Sequence, residues 1–277
     1  MKIKNIFRKS YFITGFILLL GTFSHSHADS DYPGREIYPN IPTLSTEQLY
    51  QQFDNSIIID ARSSYEYETL RIKNAINIPL GLNNENFIQR IKKIREHSNQ
   101  AIVFYCNGHS CMKSYKAARK AIIYAKANNV YAYDSGIFDW TRAHPEHAEL
   151  LGKSPVKPEQ LISKNSFKKH SLPALNFIKN ANEKTIILDI RDRAQRDGFY
   201  IFSGYEHSIP LNNKKSIKSI LLQAKKSRTP LYIYDATGKQ VRWLQYYLES
   251  ENVKEYYFME GGAQAFFSIP VEELMDS

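Results

Sequence analysis

Cys106 and Cys111 stand five positions apart and are the only thiols in the chain. Thiolates are nucleophiles, redox partners and soft-metal ligands, so a close pair points to sulfur or redox chemistry. A bridge between them would close a ring too small to gain much stability from loop entropy, which leaves a purely structural disulfide as a poor account of the pair. Cys106 ends the apolar run of residues 101–105. It is followed by Asn107, Gly108, His109, Ser110, Cys111, Met112 and Lys113, and a helix-like pattern begins at Ser114. The peptide N–H groups of a curled loop and of a helix start favour negative charge. A free thiol has a pKa of about 8.5, and such groups lower it. The amides are expected to converge on Cys106, which makes it the candidate nucleophile. Cys111 reads either as a resolving thiol or as a helix-edge cysteine facing the core. Lys113 reads either as the holder of an anionic donor or as a solvated lysine. Asn107 and Gly108 are expected to shape the loop, and His109 to be an exposed loop histidine, with acid–base work as the alternative.

A second strand–loop–helix pattern lies 129 residues further on: residues 231–234, then Asp235, Ala236, Thr237, Gly238, Lys239 and Gln240, then residues 241–248. A carboxylate holds the thiol's place there. The repeat extends outward. Residues 56–62, ending Asp60-Ala61-Arg62, match residues 185–191, ending Asp189-Ile190-Arg191. Residues 75–80 match 207–211, each a short strand near a proline, and 129–136 match 252–262. Helical patterns at 85–97, 114–128, 214–227 and 241–250 lie between these runs. Strands alternating with helices predict an α/β fold of two domains, each a mainly parallel sheet flanked by helices on both faces. The expected division is a first domain over 36–150, a linker over 151–165 containing Pro155 and Pro158, and a second domain over 166–277. In such sheets ligands bind beyond the carboxyl ends of the strands, where Cys106 and Asp235 fall.

Residues 1–28 read as a secretory signal. Lys2, Lys4, Arg8 and Lys9 precede the apolar stretch 11–23, and Ser26-His27-Ala28 offers a cleavage point. The apolar stretch is short of the roughly 20 residues that span a bilayer, so cleavage and export to the periplasm are expected, with no membrane attachment afterwards. Cleavage lowers the formal charge of +9 by the four basic residues, to about +5. That charge is spread along helix-like stretches, and no nucleic-acid recognition motif is present. No cofactor is expected and no metal site either, since His144 and His147 lack a third convergent ligand.

Taken together, Asp60-x-Arg62, Glu66-Tyr67, Ala75-Ile76-Asn77-Ile78-Pro79, the Cys106 loop and Gly136-Ile137-Phe138-Asp139-Trp140 resemble a rhodanese domain over residues 40–145. A weaker likeness covers 170–270 through Asp189-x-Arg191, Ile209-Pro210, Asp235-x-x-Gly238 and Gly261-Gly262. The resemblance implies a tandem rhodanese-like sulfurtransferase. Cys106 would take sulfane sulfur from a small donor as a persulfide and pass it to a thiol or other thiophilic acceptor, a protein among them. It also implies an Asp60–Arg62 ion pair and a packing role for Trp140. The first loop is about two residues longer than the family's six and carries Cys111 where the family has a basic or hydroxyl residue. Residues 235–240 keep six positions, but Asp235 has no sulfur to accept another. This second, degenerate site of Asp235, Gly238, Lys239 and Gln240 either retains anion binding through Lys239 and Arg242 or belongs to a scaffold covering the first domain. A periplasmic thiol–disulfide protein using Cys106 and Cys111 and a non-enzymatic interaction module are the alternatives. A phosphatase would need an arginine in the loop, and residues 107–113 contain none.

Overall fold

A computed structural model describes residues 31–202 and 204–275; the expected signal segment, residues 1–28, lies outside them. The strands are β1 (Ser56–Asp60), β2 (Leu70–Ile72), β3 (Ile76–Asn77), β4 (Ala101–Tyr105), β5 (Val130–Tyr133), β6 (Ala148–Leu150), β7 (Ser171–Leu172), β8 (Ile186–Asp189), β9 (Glu206–Ser208), β10 (Leu231–Tyr234) and β11 (Tyr256–Met259).

The β-branched run Ile57-Ile58-Ile59 and the wholly buried run of β4 form the centre of a parallel sheet ordered β3-β1-β4-β5. A second parallel sheet is ordered β7-β11-β10-β8-β9. Thr43 bridges Ala132 on the free side of β5, in the place β7 takes beside β11, so the two sheets share one topology. Side-chain alternation splits each core in two. In the first sheet Ile58, Val103, Tyr105 and Tyr133 face one layer, while Ile59, Ile102, Phe104 and Ala132 face the other. The second does the same with Leu188, Leu231 and Ile233 against Ile187, Tyr232 and Tyr234. Each sheet is thus covered by helices on both faces, the α/β class expected.

The edge strands are shorter than their sequence patterns. Pro79 and Pro210 lack the N–H that would continue a ladder. The pairing nevertheless runs on past both strands, with Ile78 and Leu80 donating to Asp60 and Ala61, and Ile209 and Leu211 donating to Asp189 and Ile190. An antiparallel ribbon of β2 and β6 stands apart from both sheets. The two halves meet through one layer of the first core, which takes in Trp243 and Tyr246 from the second half. Phe138 stacks on Trp243 with centroids 5.6 Å apart. A cavity of about 810 Å³ opens beside this contact, lined by Tyr65, Leu151, Gln160, Lys214, Tyr246 and Tyr247 among others.

Candidate active site in the Cys106 loop

The chain leaves β4 at Tyr105 and turns through residues 106–112 into the helix Lys113–Tyr124. A buried polar chain fixes one side of this turn. Asp60, at the end of β1, binds the Arg62 guanidinium through both carboxylate oxygens, at 2.9 Å to Nε and 2.6 Å to Nη2, and neither residue is exposed. Arg62 also donates to the Leu70 carbonyl at 2.6 Å and to Asn107 Oδ1 at 3.2 Å. Asn107 Nδ2 then donates to Glu66 Oε1 at 3.0 Å, and Lys113 Nζ lies 3.5 Å from Glu66 Oε2. Burial alone would raise the Glu66 pKa, but Lys113, Arg62 and the hydrogen bonds from Asn107 and Ser63 outweigh it and hold the carboxyl below its ordinary value. Charges buried this way persist only when paired: Asp60 pairs with Arg62, and Arg62 and Glu66 both reach Asn107 of the loop.

Gly136 fixes the other side. It sits at φ +71, and a Cβ there would strike the backbone of Asn107 and Gly108. The next residue, Ile137, donates its N–H to the Cys106 carbonyl at 3.0 Å. Across the mouth lies the segment around Tyr32. Its ring stacks on His109 at 4.4 Å, and its hydroxyl stands 3.3 Å from Ser135 Oγ. Arg35, anchored on Asp134 at 2.9 Å, covers the other face of Tyr32.

His109 therefore differs from the free, exposed residue expected: it is half-buried, with Nε2 2.7 Å from Asp139 Oδ2. Ser110 is the exposed tip, Met112 packs against the core layer of Ile59 and Phe104, and Ser114 is buried beneath Cys106. Trp140 is buried between Phe53 and Tyr133.

Both cysteines are free. Cys106 is 0% exposed. Its thiol donates to the Cys111 carbonyl at 3.0 Å and lies 3.6 Å from Ser114 Oγ. Burial pushes its pKa well up, and the hydrogen bond and charge of Cys111 add to that, while Ser114 opposes them. Cys111, half-buried, is pulled down to about 6 by a hydrogen bond from Cys106, by the peptide N–H groups of Lys113 and Asn107 and by the Lys113 charge, against the cost of burial. The two thiols are thus driven in opposite directions, Cys106 upward and Cys111 downward. The peptide N–H of Ser114 lowers the Cys106 pKa but is outweighed by burial, while those of Lys113 and Asn107 lower that of Cys111.

The second loop is filled in the same way. The Asp235 carboxylate, 2% exposed, accepts N–H bonds from Thr237 at 3.0 Å, from Gly238, from Gln240 and from Val241 at 3.2 Å. The protein's own anion thus occupies the ring. Lys239 is exposed, and Arg242 turns away to donate to the Ile162 carbonyl and stack over Phe138. The pair thought able to retain anion binding is therefore not assembled around this loop. The cue in the sequence was Asp followed by Thr and Gly at two and three residues on, an Asx-turn signature. Trp243, which covers the Arg62 guanidinium at 5.1 Å, had no such cue. Among the described residues no cluster of three or more His, Cys, Asp or Glu could hold a metal, and no helix is long and apolar enough to cross a membrane.

Residues 45–143 match the family model of the rhodanese-like domain. Two curated relatives are the tRNA uridine(34) hydroxylase of Salmonella arizonae, 30% identical over 110 residues, and that of Photorhabdus laumondii, 29% identical over 124 residues. The matches cover 39% and 43% of this chain but 31% and 34% of those proteins, so the chain spans a third of the length of the relatives it matches. Among solved structures, an As-Sb reductase from Leishmania major is 22% identical with a TM-score of 0.37, covering 47% of this chain and 97% of that one. A thiosulfate sulfurtransferase from Pseudomonas aeruginosa is 18% identical with a TM-score of 0.36, covering 85% of this chain and 47% of that one. Residues 45–143, with the cysteine loop inside them, form a rhodanese-like domain.

Proposed function

We propose that the chain is a sulfurtransferase that carries sulfane sulfur on Cys106. The observation that supports this most is the placement of Cys106 directly after β4, in a loop tied down by Arg62, Asn107, Glu66 and Lys113, with a second thiol in the same loop. In the attacking form the Cys106 proton moves to Cys111, and the Cys106 thiolate attacks the outer sulfur of the donor. A sulfur–sulfur bond forms at Cys106, the donor's own sulfur–sulfur bond breaks, and sulfite or sulfinate leaves. An acceptor thiol or cyanide then takes the outer sulfur and returns the Cys106 thiolate. Lys113 stands at the mouth to hold an anionic donor. Cys106 is enclosed in the resting form, so donor entry requires residues 109–112 to swing outward.

The second half is proposed as a silent rhodanese-like domain, since Asp235 has no sulfur and its carboxylate already fills the amide ring. Residues 1–28 are proposed as a cleaved signal directing the protein to the periplasm, which cell fractionation with N-terminal sequencing would check. Hydroxylation of tRNA, named for the curated relatives, belongs to proteins of which the match covers a third.

Two free thiols in one loop also suit a thiol–disulfide protein, and one assay separates the two. With thiosulfate or benzenethiosulfonate as donor and cyanide as acceptor, sulfur transfer predicts thiocyanate formation that Cys106→Ser abolishes and that persists in Cys111→Ser. Absence of thiocyanate from the wild type, or its full survival in Cys106→Ser, would overturn the proposal.

A further inference from the structure

Proximity gives the outer sulfur on Cys106 a second fate. Cys111 lies in the same loop, and its carbonyl is 3.0 Å from Cys106 Sγ. Cys106 is 0% exposed while Cys111 is half-buried, so a bulky external acceptor meets Cys111 before it meets Cys106. A nucleophile already inside the loop acts at an effective concentration that no dissolved thiol matches.

We infer that, resting on the Cys106 persulfide proposed above, Cys111 attacks Cys106 Sγ, expels the sulfane sulfur as hydrosulfide and leaves a Cys106–Cys111 disulfide, so that the protein reduces sulfane sulfur as well as transferring it. The atoms and electrons balance within the loop. Cys111 first gives the proton it took from Cys106 to the outer sulfur; its thiolate then forms the new bond to Cys106 Sγ, the bond from that sulfur to the outer sulfur breaks, and the outer sulfur departs with the proton as hydrosulfide. The two cysteine sulfurs are oxidised and the sulfane sulfur is reduced. An external dithiol reductant then reopens the disulfide and readies the loop for another cycle. The lowered proton affinity of Cys111 suits it to attack at neutral pH, where a thiol near its free value would be mostly protonated.

The test uses the whole reduced protein, with no acceptor present, incubated with benzenethiosulfonate, which contributes no background sulfide. The wild type is expected to release about one sulfide per chain and to lose the mass of two hydrogens. Cys111→Ser and Cys111→Ala are expected to gain the mass of one sulfur and release none. If the wild type instead gains a sulfur and releases no sulfide, reduction is refuted while sulfur transfer stands. If neither the wild type nor the Cys111 variants change mass or release sulfide, the transfer proposal fails and takes this one with it.

Discussion

The lowered thiol of Cys111 makes a definite pH signature. Cys111 is drawn down to about 6, so its thiolate is present above that pH and lost as pH falls through it. Alkylation by iodoacetamide should therefore accelerate across that range in the wild type. In Cys106→Ala, which removes the hydrogen bond that does most to lower Cys111, the midpoint should move upward. A wild-type midpoint at the free-thiol value of about 8.5 would contradict the pairing. At the second loop, Asp235→Ala removes a charged acceptor from several buried or half-buried N–H groups. It should cost about 3 kcal/mol in a urea melt, since hydrogen bonds to charged groups contribute about 1.5–3 kcal/mol each and add incompletely. The cysteine pair, Asp60 with Arg62 and the barren Asp235 were readable as residues. Which sulfur the amides would select was not, because that depends on how a lengthened loop closes on itself.

Elements place those residues, and Gly136 shows how narrowly. The helix Gly136–Ala143 begins against the backbone of Asn107 and Gly108 at a positive φ, so Gly136→Ala must displace the loop. We expect at least tenfold lower thiocyanate turnover and a melt lowered by about 1–3 kcal/mol, the usual cost of a strained left-handed residue. Unchanged turnover would show that this contact does not position the loop. The long elements were legible: the helices Lys214–Ser227 and Val241–Ser250 agree with the apolar periodicity to the residue. The central strands stood out as runs of isoleucine, valine and aromatic residues. The ribbon of β2 and β6 was not legible, because three-residue runs carry no period and its pairing joins Arg71 to Glu149, far along the chain.

At the scale of the whole molecule, the second half's Trp243 covers the guanidinium that holds Asn107, and stacks on Phe138. Loss of a buried tryptophan costs about 3–5 kcal/mol, so Trp243→Ala should lower the urea midpoint clearly. A double-mutant cycle with Phe138→Ala should return a coupling of about 1 kcal/mol, as stacked aromatic pairs do. Purely additive losses would mean that the halves touch there without supporting one another. The repeat at 129 residues announced two similar sheets, but the contact between the halves includes Trp243 on Phe138 and Lys214 on Glu68, residues whose partners lie across the fold. The most direct check on the account is tandem mass spectrometry of the Cys111→Ser protein after exposure to a sulfane donor. One added sulfur on residue 106, absent when Cys106 is also replaced by serine, is the result predicted. An added sulfur on any other residue, or none on residue 106, would contradict it.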